Sequence, residues 1–99
     1  MAALIYTRRA VADLDRLAKF LAPEGKEATT DAIDVIAHAV EVLERHPRIG
    51  RPVEHGLNEL VISRGKTGYV ALYDYHVHED LVVILALRHQ REAGYRDDE

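Results

Sequence analysis

Apolar positions along this chain change period once, from helical in the first half to strand-like in the second. Leu4, Ile5 and Tyr6 form a short apolar run that predicts a strand. Thr7 follows as a helix cap, its hydroxyl placed to accept from a free amide of the next turn. From Ala10, the residues Val11, Leu14, Leu17, Ala18 and Leu21 recur at three- and four-residue spacing with Arg9, Asp13, Arg16 and Lys19 between them, which predicts one buried helix face. Ala22-Pro23-Glu24-Gly25 breaks that pattern. A second helical segment from about Glu27 to His46 gathers Ala32, Ile33, Ile36, Ala39, Val40 and Leu43 on one face, with Asp34, Glu41 and Glu44 away from it. Pro47, Gly50 and Pro52 end it, because proline cannot continue the hydrogen-bond ladder.

Three strand-like runs follow: Leu57 to Arg64, Tyr69 to Tyr75, and Leu81 to Leu87. In the middle run Tyr69, Ala71, Tyr73 and Tyr75 share one face, and Val70, Leu72 and Asp74 the other. The last run is apolar at every position, as expected of a central strand covered on both faces or of one at a subunit contact. Arg64 to Gly68 and His76 to Asp80 are polar enough to be the connecting turns. The predicted order is strand, helix, helix, strand, strand, strand. A two-helix hairpin on one face of a small, mainly antiparallel sheet then covers each apolar face, an α+β architecture in one domain spanning residues 1–99.

Composition narrows the function classes. A chain of 99 residues with 47% hydrophobic content supports one core, so any function lies on one compact surface. It has no cysteine, which removes disulfide and thiol chemistry and fits a cytoplasmic setting. The N-terminal Met-Ala-Ala-Leu-Ile-Tyr lacks a signal-peptide core, and no apolar stretch nears the roughly 20 residues needed to span a membrane. A net charge of -4 argues against nonspecific nucleic-acid binding through a uniformly basic surface. The distribution is uneven: between Arg45 and Leu72 the cations Arg45, Arg48, Arg51, Arg64 and Lys66 outnumber Glu54 and Glu59, and Asp97, Asp98 and Glu99 form an acidic tail.

Candidate chemistry concentrates where the last strand ends, at Arg88, His89 and Arg91. Alternation from Val82 places Arg88 on the face of Val82, Ile84 and Ala86. There it would hold an anion or a partner carboxylate bidentately, or pair with Glu59 or Glu54. His89 is the best acid-base candidate because an ordinary imidazole titrates near neutrality, at about pH 6.5. His76 and His78 sit in a turn without preorganised third and fourth ligands, so a metal site is not expected. The tyrosine stripe reads as core against the helices before it reads as a base-stacking platform.

This order, with several local phrases, resembles the RelE/ParE superfamily of toxins from bacterial type II toxin-antitoxin pairs, a group that includes plasmid stabilisation proteins. The phrases are Tyr6-Thr7 leading to Ala12-Asp13-Leu14, His46-Pro47 to Gly50, Leu57-Asn-Glu-Leu60, Gly68-Tyr69-Val70-Ala71-Leu72-Tyr73 and Leu85-Ala-Leu-Arg-His-Gln-Arg91. The resemblance implies no cofactor. It also implies a cognate antitoxin that wraps the helices and adds a strand to the sheet, and assembly as a homodimer or a toxin-antitoxin hetero-oligomer. RelE-like members cut messenger RNA on the ribosome, whereas ParE-like members poison DNA gyrase without nuclease chemistry. RelE-like nucleases carry an arginine just after the first residue of the third strand, where this chain has Val70. ParE-like members tend to read Tyr-Val there and to end the fourth strand as His-x-Arg, as Tyr69-Val70 and His89-Gln90-Arg91 do here.

The resemblance therefore implies a non-enzymatic, gyrase-inhibiting, growth-arresting toxin. It would bind its target or antitoxin through Arg64, Lys66, Tyr69, Arg88, His89 and Arg91. Two alternatives stay open. One is an mRNA endoribonuclease drawing on Arg64, Lys66, Arg88, His89 and Tyr95, and the other is a non-toxic interaction module of the same fold.

Overall fold

Thr7 sets the first boundary of the fold. Its extended backbone ends β1 (Ala3–Tyr6), and its hydroxyl accepts from the Ala10 amide at 3.1 Å to open α1 (Arg8–Leu21), as the sequence predicts. The computed structural model describes residues 1–62 and 68–90. Ala10, Leu17 and Leu21 of α1 are buried, and so is Asp13, which the helical pattern assigns to the polar side. A short 3₁₀ turn at Ala22–Glu24 and Gly25, with φ of 110°, reverse the chain into α2 (Lys26–Glu41). This helix is shorter than the predicted Glu27–His46 segment. The Val42 amide turns to the Ala39 and Val40 carbonyls, tightening Val42–Glu44 into a 3₁₀ turn with Leu43 fully buried. No helix among the described residues is long and apolar enough to cross a membrane.

The remaining strands are β2 (Arg51–Pro52), β3 (Asn58–Ile62), β4 (Tyr69–His76) and β5 (Leu81–His89), arranged β1-β5-β4-β3-β2. Only β1 and β5 run parallel. The sheet is thus mainly antiparallel with β5 inside it, as expected, but it has a fifth strand where the sequence predicts only loop. β2 is two residues long and sits at the edge, where Pro52 forfeits no interior ladder bond. Residues 64–67 of the predicted Arg64–Gly68 turn lie outside the described residues.

Both helices lie on one face of the sheet. Leu17, Leu21, Ile36, Val40 and Leu43 meet Ile62, Tyr69, Ala71, Tyr73, Val82, Ile84 and Leu87 there. Each fully buried aliphatic side chain of this set contributes about 1.5–3 kcal/mol. The tyrosine stripe is core, as predicted, with Tyr69 and Tyr73 buried and Tyr75 packed at the margin.

One irregularity in β5 decides which way its end points. Leu72 pairs with Ala86 but Tyr73 pairs with Ile84, so Leu85 is an extra residue, a β-bulge. Up to Ile84 the even-numbered residues face the helices; after Leu85 the odd-numbered ones do. Arg88 therefore lies opposite Val82 and Ile84, correcting the simple alternation, and shares its face with Ala86.

The bulge is held by α1. Beyond Tyr6, β1 no longer covers β5, and side chains take over its backbone edge. Thr7 Oγ1 donates to the Leu85 carbonyl at 3.2 Å, the Leu87 amide donates to Asp13 Oδ2 at 2.8 Å, and Arg16 Nη2 donates to the Leu87 carbonyl at 3.1 Å. Arg16 also pairs with Asp13 at 3.3 Å. A buried carboxylate here has both a backbone donor and a cation, which is what makes its burial tolerable.

A candidate binding face of the sheet

The bulge gives the face away from the helices its chemistry. Residues paired across neighbouring strands share a face, and the register sets two rows side by side. One row runs Arg51, Glu59, Leu72, Ala86 across β2 to β5, and the next runs Val61, Val70, Arg88. Arg51, Val61, Val70, Arg88 and Gln90 line a cleft of about 320 Å³. Val70 is buried in its floor, Arg88 is half-buried, and Arg51 and Val61 are exposed.

Arg51 is placed by two strands and a loop. Its Nε and Nη2 both donate to Glu59 Oε1, at 3.1 and 2.7 Å, and Glu59 is buried. Behind it, Tyr73 Oη accepts from the Gly50 amide and donates to the Pro47 carbonyl, both at 2.9 Å. Gly50 is required there, because a Cβ would lie 2.5 Å from Tyr73 Oη and 2.8 Å from the Glu59 carbonyl oxygen. Burial holds the Tyr73 phenol above its ordinary pKa of 10.0, against a smaller opposing pull from the Gly50 amide. It therefore stays a neutral hydroxyl that can donate and accept at once.

Arg88 reaches back toward the His89 carbonyl, at a long 3.4 Å. Its guanidinium and that of Arg51 stand over an apolar floor, an arrangement suited to a carboxylate or phosphate presented against a low-dielectric surface.

His89 points the other way. It is 2% exposed on the helix face, with the Phe20 ring 5.3 Å away and the Tyr69 ring edge-on at 5.2 Å. Tyr69 keeps its proton above the usual phenol range, through burial first and the nearby Glu24 carboxylate second. Of the site residues proposed from sequence, the structure brings Tyr69 and His89 together and puts Arg88 on the opposite face. Arg64, Lys66, Arg91 and Tyr95 lie outside the described residues.

Arg51 and Glu59 are the site residues that sequence reasoning missed as a pair. The sequence places Arg51 only in the cationic run after Arg45 and offers Glu59 as a partner for Arg88. Gly50 before Arg51 was the available signal, read there only as a helix breaker. At the turn, His76 Nε2 lies 3.0 Å from Asp74 Oδ2.

The comparisons with known proteins agree with this fold. A family model described as the ParE toxin of the type II toxin-antitoxin system parDE matches residues 4–94. Toxin RelE3 of Caulobacter vibrioides is 38% identical over 84 residues, covering 85% of this chain and 89% of that protein. The solved structure of a chromosomal ParDE toxin-antitoxin system from P. aeruginosa superposes with a TM-score of 0.76 at 27% identity, over 90% of this chain and 96% of that one. The RelBE2 toxin-antitoxin complex of Mycobacterium tuberculosis shares the fold, with a TM-score of 0.66 at 23% identity over 90% and 98% of the two chains. A match that runs from inside β1 past the end of β5 covers every element described above, and on it the chain belongs to the ParE toxin family of type II toxin-antitoxin systems, within the RelE/ParE superfamily.

Proposed function

We propose that this chain is a ParE-like toxin that inhibits DNA gyrase, and through it DNA replication, and that a cognate antitoxin neutralises it. The observation that carries the reading is the separation of Arg88 and His89 onto opposite faces of the sheet. Cleaving RNA at a 2′-hydroxyl requires a base to take the proton, an acid for the leaving oxygen, and cations on the phosphorane, all around one atom. Arg51 and Arg88 supply cations. The imidazole is packed between Phe20 and Tyr69 on the far side, and the Glu59 carboxylate is engaged by Arg51. Val70, beside Arg88 in the same row, contributes no transition-state donor, a loss worth about 2.7–4 kcal/mol where such a donor acts. Among the described residues, what remains is a surface that binds.

The antitoxin part of the proposal draws support from the sheet edges. β2 pairs only with Asn58 and Glu59, so among the described residues the Leu60–Ile62 stretch of β3 forms an edge on which an added strand finds backbone partners, whereas the corresponding edge of β5 is occupied by Thr7, Asp13 and Arg16.

A second reading, a ribosome-dependent mRNA endoribonuclease, takes its support from the RelE name of the Caulobacter vibrioides relative. Inducing the chain in growing bacteria separates the two. The proposal expects DNA synthesis to stop while transcript 5′ ends stay unchanged, with Arg88→Ala restoring growth. New 5′ ends within codons, appearing before replication slows, would establish the ribonuclease instead.

A further inference from the structure

The loop from α2 to β2 carries a cluster that the open face of the sheet does not use. Arg45-His46-Pro47-Arg48-Ile49-Gly50-Arg51 holds three arginines and a histidine with no acidic residue, in a chain of net charge -4. Tyr73 bonds the segment at both Pro47 and Gly50, so its shape is fixed by the sheet beneath it. His46, Pro47, Arg48, Ile49 and Tyr75 line a pocket of about 440 Å³ at the His76 end of β4. The Arg48 guanidinium lies 5.3 Å from the centroid of the Tyr75 ring, a cation-π contact that holds the charge at the pocket wall. Ile49, at the mouth, is 57% exposed.

The charges around the pocket are uneven in availability. Arg51 is committed to Glu59, and the Asp80 carboxylate near the pocket accepts from the Tyr75 hydroxyl at 2.7 Å. Arg48, on the pocket wall, is exposed and has no carboxylate within ion-pair distance among the described residues, whereas Arg45 lines a separate cleft with Glu41 and Glu44. An apolar cavity with an exposed isoleucine and the Arg48 guanidinium at its wall is complementary to an apolar side chain next to a carboxylate. Two other occupants fit less well. Nucleic acid gains affinity with each phosphate neutralised, and one guanidinium at the pocket of an acidic chain neutralises few. A second copy meeting this patch about a two-fold axis would set Arg48 against its own like charge.

We infer that this pocket anchors the antitoxin, receiving an apolar side chain set beside an acidic residue of the antitoxin's toxin-binding segment. The inference rests on the toxin-antitoxin reading above and adds where on the chain, and by what chemistry, the partner is gripped. The burial of one apolar anchor and the pairing of its acidic neighbour with Arg48 make Ile49 and Arg48 hot spots.

The test is calorimetric titration of the purified chain with the purified antitoxin encoded beside it. Ile49→Asp and Arg48→Glu are each expected to weaken binding about 30-fold or more while the thermal melt of the free chain is unchanged. Should the aspartate variant melt early, Ile49→Ser gives the same reading without a charge. Wild-type affinity in these variants overturns the pocket and leaves the pairing standing. No complex with the wild-type chain overturns the pairing, and the pocket with it. Two further results reassign the surface and overturn the proposal: a short DNA duplex that binds the wild-type chain but not Arg48→Glu, or a dimer of the chain that Ile49→Asp dissolves in sedimentation.

Discussion

Asp13 holds the margin of the sheet through two contacts, the Leu87 amide and the Arg16 guanidinium, while being 6% exposed. Asp13→Ala removes the carboxylate and leaves that amide without its acceptor, so a loss of about 2 kcal/mol is expected in urea melts. A surface aspartate would cost a few tenths. The tyrosines offer a second check. Tyr69 and Tyr73 both hold their protons above 10.0, chiefly through burial, so the folded state binds the phenolic proton more tightly than the unfolded chain does. Their contribution to stability is complete below the unfolded value and is lost as pH rises toward the folded one, so melts at about pH 11 should show lower stability than melts at about pH 9. In the sequence Thr7 and the tyrosine stripe were readable, because a cap and a period-two pattern are local signals. Asp13 was not, because helical spacing alone does not tell a polar residue at the boundary of the buried face from one in water.

Among elements, the bulge at Leu85 and the loop at Gly50 place the cations. Replacing Gly50 with alanine would push a methyl into Tyr73 Oη and the Glu59 backbone, and these atoms belong to the sheet and move little. Gly50→Ala should cost about 1–3 kcal/mol and detach Arg51 from Glu59, read as a lower melting temperature together with weaker antitoxin binding. Strands β1, β3, β4 and β5, both helices, the break between them and the turn after His76 follow from periodicity and from Pro and Gly. The bulge was hidden because Leu81 to Leu87 is apolar throughout, so no break in alternation marks the extra residue. With it went the orientation of Arg88 and His89. β2 was hidden because a two-residue strand has no pattern at all.

At the scale of the molecule, an α+β domain with its helices on one face leaves the other face to cations over an apolar floor, and adds a cationic pocket at the far end of β4. The family was legible in the order of elements and in phrases spread over the whole chain; the division of labour between the two faces was not, since it depends on one inserted residue. The central claim is that the chain binds and blocks a macromolecule without cutting one. Supercoiling of relaxed plasmid by purified gyrase, with increasing amounts of purified chain and ribosome-bound mRNA assayed in parallel, tests it most directly. The account predicts that supercoiling falls with dose, that Arg88→Ala weakens the inhibition, and that the mRNA stays intact. Undiminished supercoiling alongside cleaved mRNA would contradict it.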